Sequence, residues 1–153
     1  MRLWHYKLIP YLPKSQLLAQ WRELNSIFKK QDKHILINYI YDYDKIFMLN
    51  YSLNVMTEME NRGYKTKNDN WYEYHRELID KGDISIINLR DCRYKEQDKE
   101  YLTICYYNLK EKYLRGQKDF TKEIWDKLEE FYKKEMEWYS WSSVIIHNGH
   151  AYY

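Results

Sequence analysis

At 153 residues and 19.3 kDa, the chain is long enough for one domain with a single core, and 44% hydrophobic residues argue against disorder. The net charge of +2 is too small to indicate nucleic-acid binding by itself. The sequence has no apolar run of membrane-spanning length and no signal-peptide pattern, and its two cysteines are too few for a disulfide framework. We therefore expect a reduced, cytoplasmic, single-domain protein that spans residues 1–153.

The spacing of apolar residues predicts helices. Four glycines and two prolines leave few turn signals, which favours helices over a β fold with many turns. A first helix is predicted over about residues 14–30, with Ser15 as its N-terminal cap. One face of this helix carries apolar side chains at intervals of three and four, namely Leu17, Trp21, Leu24 and Phe28.

The middle of the chain is predicted to contain two more helices. Residues 34–43 alternate loosely and form either a short strand or an irregular connection. A helix over about 44–62 follows, ends at Gly63, and has an inner face of Met48, Ser52, Val55 and Met59. A shorter helix is predicted over about 70–80.

The C-terminal half is predicted to contain two longer helices, over about 98–114 and 121–138. Residues 139–153 contain no charged side chain, so we expect this segment to pack on the body of the protein or to meet a ligand. The predicted fold class is all-α, a compact single-domain helical bundle with an aromatic, uncharged C-terminal tail.

Positive charge is concentrated at the start of the chain. Residues 1–40 carry seven basic side chains against two acidic ones, a local net charge of +5, so the remainder is net negative. A phosphate-binding surface requires such a concentration, although a solvated helix face can carry it as well. The eighteen tyrosines indicate either a hydrated binding surface or a bias in amino-acid composition that is general to the source genome.

An ordered set of residues in this basic region resembles a known family. The set comprises Leu17–Leu24, which contains Arg22-Glu23, then Phe28, Lys33-His34, Tyr43-Asp44-Lys45 and Glu58-x-x-x-Arg62-Gly63-Tyr64. In order and approximate spacing it resembles the T4-type pyrimidine-dimer DNA glycosylases over about the first 65 residues. The resemblance implies an enzyme of DNA repair whose partner is double-stranded damaged DNA.

The resemblance also implies a catalytic pair. Enzymes of this type attack a damaged nucleotide with the N-terminal amine, helped by a glutamate on a helix. The α-amino groups of peptides have a pKa of about 7.7–8.0 against about 10.4 for lysine, so more of the nucleophilic form is available. Here the large Arg2 blocks removal of the initiator, so the nucleophile is the amine of Met1, with Glu23 and Arg22 as catalytic partners.

The same resemblance assigns residues to DNA binding. Gln16 and Ser26 stand where the family carries a histidine near the site and a phosphate-binding arginine, and both changes weaken the case for dimer specificity. His5, as a single histidine, is either a structural residue or a replacement for lost function. The residues assigned to DNA are Arg2, His5, Gln16, Ser26, Lys29, Lys30, Lys33, His34, Trp138, Tyr139 and Trp141.

We expect no cofactor, no metal and no membrane partner, and we expect a monomer. His147 and His150 are two histidines without a fixed cysteine or carboxylate partner, which is a weak metal signal. Two other functions remain open. One is a non-catalytic nucleic-acid-binding protein on the same scaffold, and the other is a protein-interaction module that uses the tyrosine-rich surface.

Overall fold

The computed structural model of the chain describes residues 1–82 and 91–150, the last ten of these as backbone only. The described residues form an all-α fold, as predicted, with six α-helices, two short 3-10 helices and no β-strand. The 3-10 helices cover Tyr6–Tyr11 and Asn38–Asp42. The α-helices are α1 Lys14–Lys30, α2 Lys45–Asn61, α3 Asp69–Tyr74, α4 Arg76–Asp80, α5 Lys99–Leu114 and α6 Lys122–His150.

The main hydrophobic core collects side chains from most of these helices and from the start of the chain. The predicted inner faces of α1 and α2 are confirmed, since all eight side chains named for them are buried. The sequence did not predict that the N-terminal segment also belongs to the core. This segment contributes Leu3, Leu8, Ile9 and Leu12, each almost fully buried. The chain terminus is therefore fixed by packing.

The N-terminal cap of α1 differs from the prediction. Pro13 occupies the cap position and Ser15 caps nothing with its side chain. The backbone N–H of Ser15 instead donates to Oδ2 of Asp119 at 2.6 Å, so a carboxylate just before α6 takes the place of a local cap. Burial by itself raises the pKa of Asp119, but the hydrogen bonds from Ser15 outweigh it and the net shift is downward.

Of the two alternatives for the segment 34–43, the structure shows the irregular connection, as a turn and a 3-10 helix. The predicted helix over 70–80 is divided at His75 into α3 and α4. The predicted tail is helical as far as His150, because the sequence has neither proline nor glycine between residue 138 and Gly149 to end α6. In the part of the chain that the structure describes, no helix is long and apolar enough to cross a membrane.

Two buried histidines make the stability of the fold depend on pH. Burial, helped by the charge of Lys7, lowers the pKa of His5 from 6.5 to about 4, and burial lowers that of His75 to about 4. The unfolded chain takes up protons near pH 6.5 while the folded protein holds both rings neutral. We expect the free energy of unfolding to be greatest above pH 6.5 and to fall towards pH 4, by on the order of 3 kcal/mol for each ring.

Urea unfolding at pH 7 and at pH 5 measures this effect. His75→Phe keeps an aromatic ring among Phe28, Trp71 and Tyr74 and removes the titrating group, so its stability should change less with pH. His34→Ala is the matched control, because it also removes one histidine but takes no side chain out of the core. An identical slope in wild type and His75→Phe would contradict the assignment.

Candidate active site and nucleic-acid interface

Side chains from three helices fix the backbone of the N-terminal segment. The Tyr101 hydroxyl on α5 donates to the carbonyl oxygen of Leu3. The Tyr51 hydroxyl on α2 donates to the carbonyl oxygen of Trp4 at 2.6 Å. The Trp4 N–H donates to Oε1 of Gln20 on α1 at 2.8 Å. Because these polar groups are buried or half-buried, each bond both satisfies the backbone and fixes its position.

Gln20 connects this fixed segment to the carboxylate of Glu23. Its Nε2 donates to the carbonyl oxygen of Arg2 at 3.1 Å and lies 3.5 Å from Oε2 of Glu23. Gln20 is 1% exposed, whereas Glu23 is only half-buried, so the carboxylate is reachable from solvent while its orienting partner is not. Met1, which precedes Arg2, packs half-buried against the core. The chain terminus and the glutamate are thus brought to the same region.

The exposed face of α1 carries the basic residues next to this carboxylate. With 3.6 residues per turn, Arg22, Glu23, Lys29 and Lys30 share one side of the helix. Arg22, Lys29 and Lys30 are exposed, and so is Lys33 just beyond the end of α1. We call these four cations the basic face. It offers a positive surface adjacent to Glu23, as phosphate binding requires.

Gln16 and Ser26 use their polar groups inside the protein. The amides of Gln16 and Gln117 form a reciprocal pair, with N···O distances of 3.0 and 2.7 Å. The Ser26 hydroxyl donates to the carboxylate of Asp32. Both side chains are half-buried, so a contact with DNA requires these bonds to be exchanged.

The burial of His5 does not fit its assignment to DNA. The ring is 1% exposed, stacks on Tyr6 at a centroid distance of 4.7 Å, and accepts a hydrogen bond on Nδ1 from the Lys7 N–H at 3.2 Å. A buried, neutral ring cannot bind a phosphate in this conformation. The structure therefore supports the interpretation of His5 as a structural residue, because its ring packs within the N-terminal segment.

Arg2, also assigned to DNA, contacts α5, and His34 lies in the turn after α1. The Arg2 guanidinium lies over the Tyr101 ring, 5.9 Å from its centroid, and the residue is half-buried. His34 is exposed in the turn after α1, where its Nδ1 accepts from the Leu36 N–H at 3.2 Å.

The aromatic residues near the C-terminus differ in exposure. Trp138 is 56% exposed, so its ring is open to a ligand. Tyr139 is half-buried, with the ammonium groups of Lys7 and Lys99 within 6 Å of its ring centroid, at 5.6 and 5.9 Å. The structure does not describe the side chains of Trp141, His147 and His150. Among the residues that were described, no group of three potential metal ligands occurs.

The residues that hold the chain terminus were not predicted from the sequence. They are Gln20, Tyr51, Gln97 and Tyr101, whose side chains bind the backbone of residues 2–6. One signal was available: Gln20 lies on the apolar face of α1, beside Leu17, Trp21 and Leu24, where a buried amide needs partners. The others are tyrosines and a glutamine from distant segments, which no local pattern distinguishes.

A helical protein with a fixed chain terminus, a neighbouring carboxylate and a basic helix face has the arrangement of a small DNA-repair enzyme. The family described as pyrimidine dimer DNA glycosylase matches residues 1–80, more than half of the chain, and the chain belongs to this family. Membership identifies a DNA glycosylase whose substrate is DNA. No curated protein and no solved structure gives a match.

Proposed function

We propose that this glycosylase is also an abasic-site lyase that acts through a Schiff base on the α-amine of Met1, assisted by Glu23. One observation carries the proposal: a single buried side chain, Gln20, bonds both to the Arg2 carbonyl and to the Glu23 carboxylate. Most chain ends are loosely ordered, so a terminus that is fixed near a half-exposed carboxylate supports a chemical role for the two groups.

The chemistry follows from these groups. The amine attacks the sugar carbon that bears the base, and the base leaves with the electrons of the glycosidic bond and takes up a proton. The nitrogen then loses one proton, its lone pair opens the sugar ring, and the released ring oxygen takes up a proton, which gives a cationic imine. Removal of a proton from the adjacent carbon then expels the 3′ phosphate. Glu23 stabilises the cationic imine and accepts a proton, and Arg22 binds a phosphate.

The proposed substrate class is the pyrimidine dimer or a related lesion in duplex DNA. Such an enzyme must bend the duplex and extrude a nucleotide before the amine can reach the sugar. The basic face supplies phosphate contacts for this, and the exposed Trp138 is available to stack on an opened base step. Gln16 and Ser26 are engaged within the protein, which favours abasic sites over dimers as the faster substrate.

Borohydride trapping on two duplexes tests this function. One duplex carries an abasic site and the other a cyclobutane thymine dimer. We expect a covalent adduct on both, mapped to Met1 by mass spectrometry of the digested protein. An adduct on the abasic duplex alone would retain the lyase chemistry and reject dimer specificity.

Chemical blocking of the terminus is the control for this experiment. A protein acetylated only at the N-terminal amine, verified by intact mass, should give no adduct while still binding the duplex. The second candidate function, non-catalytic DNA binding, is favoured by the internal bonds of Gln16 and Ser26. If this second function is correct, the protein binds DNA in a salt-sensitive way and forms no adduct even when the amine is free.

A further inference from the structure

Two apolar side chains are exposed at the end of the basic face. Ile35 is 86% exposed and Leu36 is 40% exposed, next to each other in the turn between α1 and the second 3-10 helix. Single exposed apolar residues are ordinary, but this pair follows directly on a series of cations. Lys33 and His34 immediately precede it, and both are exposed.

The turn that carries Ile35 is held in one conformation. The His34 N–H donates to Oδ1 of Asn38 at 2.7 Å, and the His34 carbonyl accepts from the N–H groups of Ile37 and Asn38, both at 2.9 Å. Ile37 is fully buried and anchors the far side of the turn in the core. The exposed pair therefore lies between a closed network of hydrogen bonds and a buried anchor.

The near side of the turn is attached to α1 and to the second 3-10 helix. The Tyr41 hydroxyl donates to the carbonyl oxygen of Asp32, and the Asp32 carboxylate accepts from Ser26 on α1. Ser26 and Asp32 thus brace the base of the turn instead of contacting phosphate. Because these bonds already fix the turn, its side chains need little further ordering when they contact a partner, and the entropic cost of binding is lower.

We propose that Ile35, supported by Leu36, inserts as a wedge between base pairs of the duplex and bends it, while the basic face binds the flanking phosphates. This inference rests on the proposed function, which requires a bent duplex. Proteins that bend DNA commonly insert isoleucine or leucine side chains into a base step from the minor groove. An apolar tip next to exposed cations matches a base step next to its phosphates, so the structure favours DNA over an apolar protein partner.

The position of the wedge relative to Glu23 fits a bend a few base steps away from the lesion. Seven residues of helix separate Glu23 from Lys30, about 10 Å along the axis, which is about three base steps of one strand. The turn with Ile35 lies beyond Lys30. The wedge therefore acts at a step several pairs from the attacked sugar and bends the duplex there, leaving the lesion to the terminus and Glu23.

Comparison of a stiff and a flexible substrate tests the wedge. Ile35→Ser should slow borohydride trapping on a continuous abasic duplex about tenfold, because the bend loses its apolar contact. On the same duplex with a short gap in the opposite strand at the wedge step, about three base steps from the lesion, bending costs little and the variant should match wild type within about twofold. Ile104→Ser is the control, since Ile104 is 49% exposed on α5 and should change neither rate.

A second measurement separates the wedge from the chemistry. Energy transfer between dyes at the two duplex ends reports the bend without any reaction. If wild type gives no adduct, the proposed lyase function fails. The wedge then stands if wild type bends the duplex and Ile35→Ser does not. Equal trapping by wild type and Ile35→Ser on the continuous duplex, an equal loss on both duplexes, or an unchanged bend would overturn the wedge.

Discussion

The Glu23→Gln protein is expected to cleave an abasic duplex more slowly than wild type by a factor on the order of 10³. The amide has the size of the carboxylate but neither its charge nor its basicity, so it cannot stabilise a cationic imine or accept a proton. Its oxygen can still accept the bond that Gln20 gives to Glu23, which should leave the terminus in place. Single-turnover cleavage of an abasic duplex measures the loss.

Glu60→Gln is the matched control for this substitution. Glu60 is exposed on α2, so the same loss of one negative charge should leave the cleavage rate unchanged. DNA affinity at fixed salt should be similar or slightly higher in both variants, since each removes one negative charge. Unimpaired cleavage by Glu23→Gln would remove the proposed role of this residue and leave the amine without its partner.

The Gln20→Leu protein is expected to lose both stability and rate. Leucine leaves the buried N–H of Trp4 without its acceptor, which should cost about 1–3 kcal/mol of unfolding free energy. It also removes the link between Arg2 and Glu23, and misplacement by about 1 Å at a reacting centre can cost about 10²-fold in rate. Urea unfolding and single-turnover cleavage measure the two losses separately.

Gln97→Leu distinguishes positioning from general destabilisation. Gln97 also holds the N-terminal segment, since its Oε1 accepts from the Tyr6 N–H at 3.0 Å and its Nε2 lies 3.5 Å from the Trp4 carbonyl oxygen, but it has no bond to Glu23. We expect a similar loss of stability with a much smaller loss of rate. If both variants lose rate in proportion to stability, Gln20 is a structural residue and does not position Glu23.

The helices could be predicted because their signals are local. The bounds of α1 were predicted at both ends, and the four residues named for the inner face of α2 are all buried, since apolar spacing reflects a single helix packed on a core. The cap of α1 could not be predicted, because its partner Asp119 lies more than a hundred residues away in the chain. The helical continuation of α6 was missed because an uncharged aromatic stretch carries no clear helical period.

The residues of the candidate site also divide into those that local sequence signals could indicate and those that depend on tertiary contacts. Arg22, Glu23 and the lysines of the basic face were named from the order of residues near the start of the chain, and their roles in catalysis and DNA binding stay predictions. The sequence also suggested His5 as a DNA contact, and its burial gives it a structural role. Exposure of a lone histidine depends on which distant elements cover it, and here these include Tyr101 on α5.

The sequence by itself determined the helical class, the main helix faces and the family, because each depends on residue types at short and fixed spacings. Only the tertiary structure decided that the N-terminal segment from Leu3 to Leu12 packs in the core, that Gln20 joins Arg2 to Glu23, and that Ile35 projects from a turn fixed by hydrogen bonds. These features depend on hydrogen bonds and contacts between residues far apart in the chain. Such pairings form only when the helices pack, and no single segment encodes them.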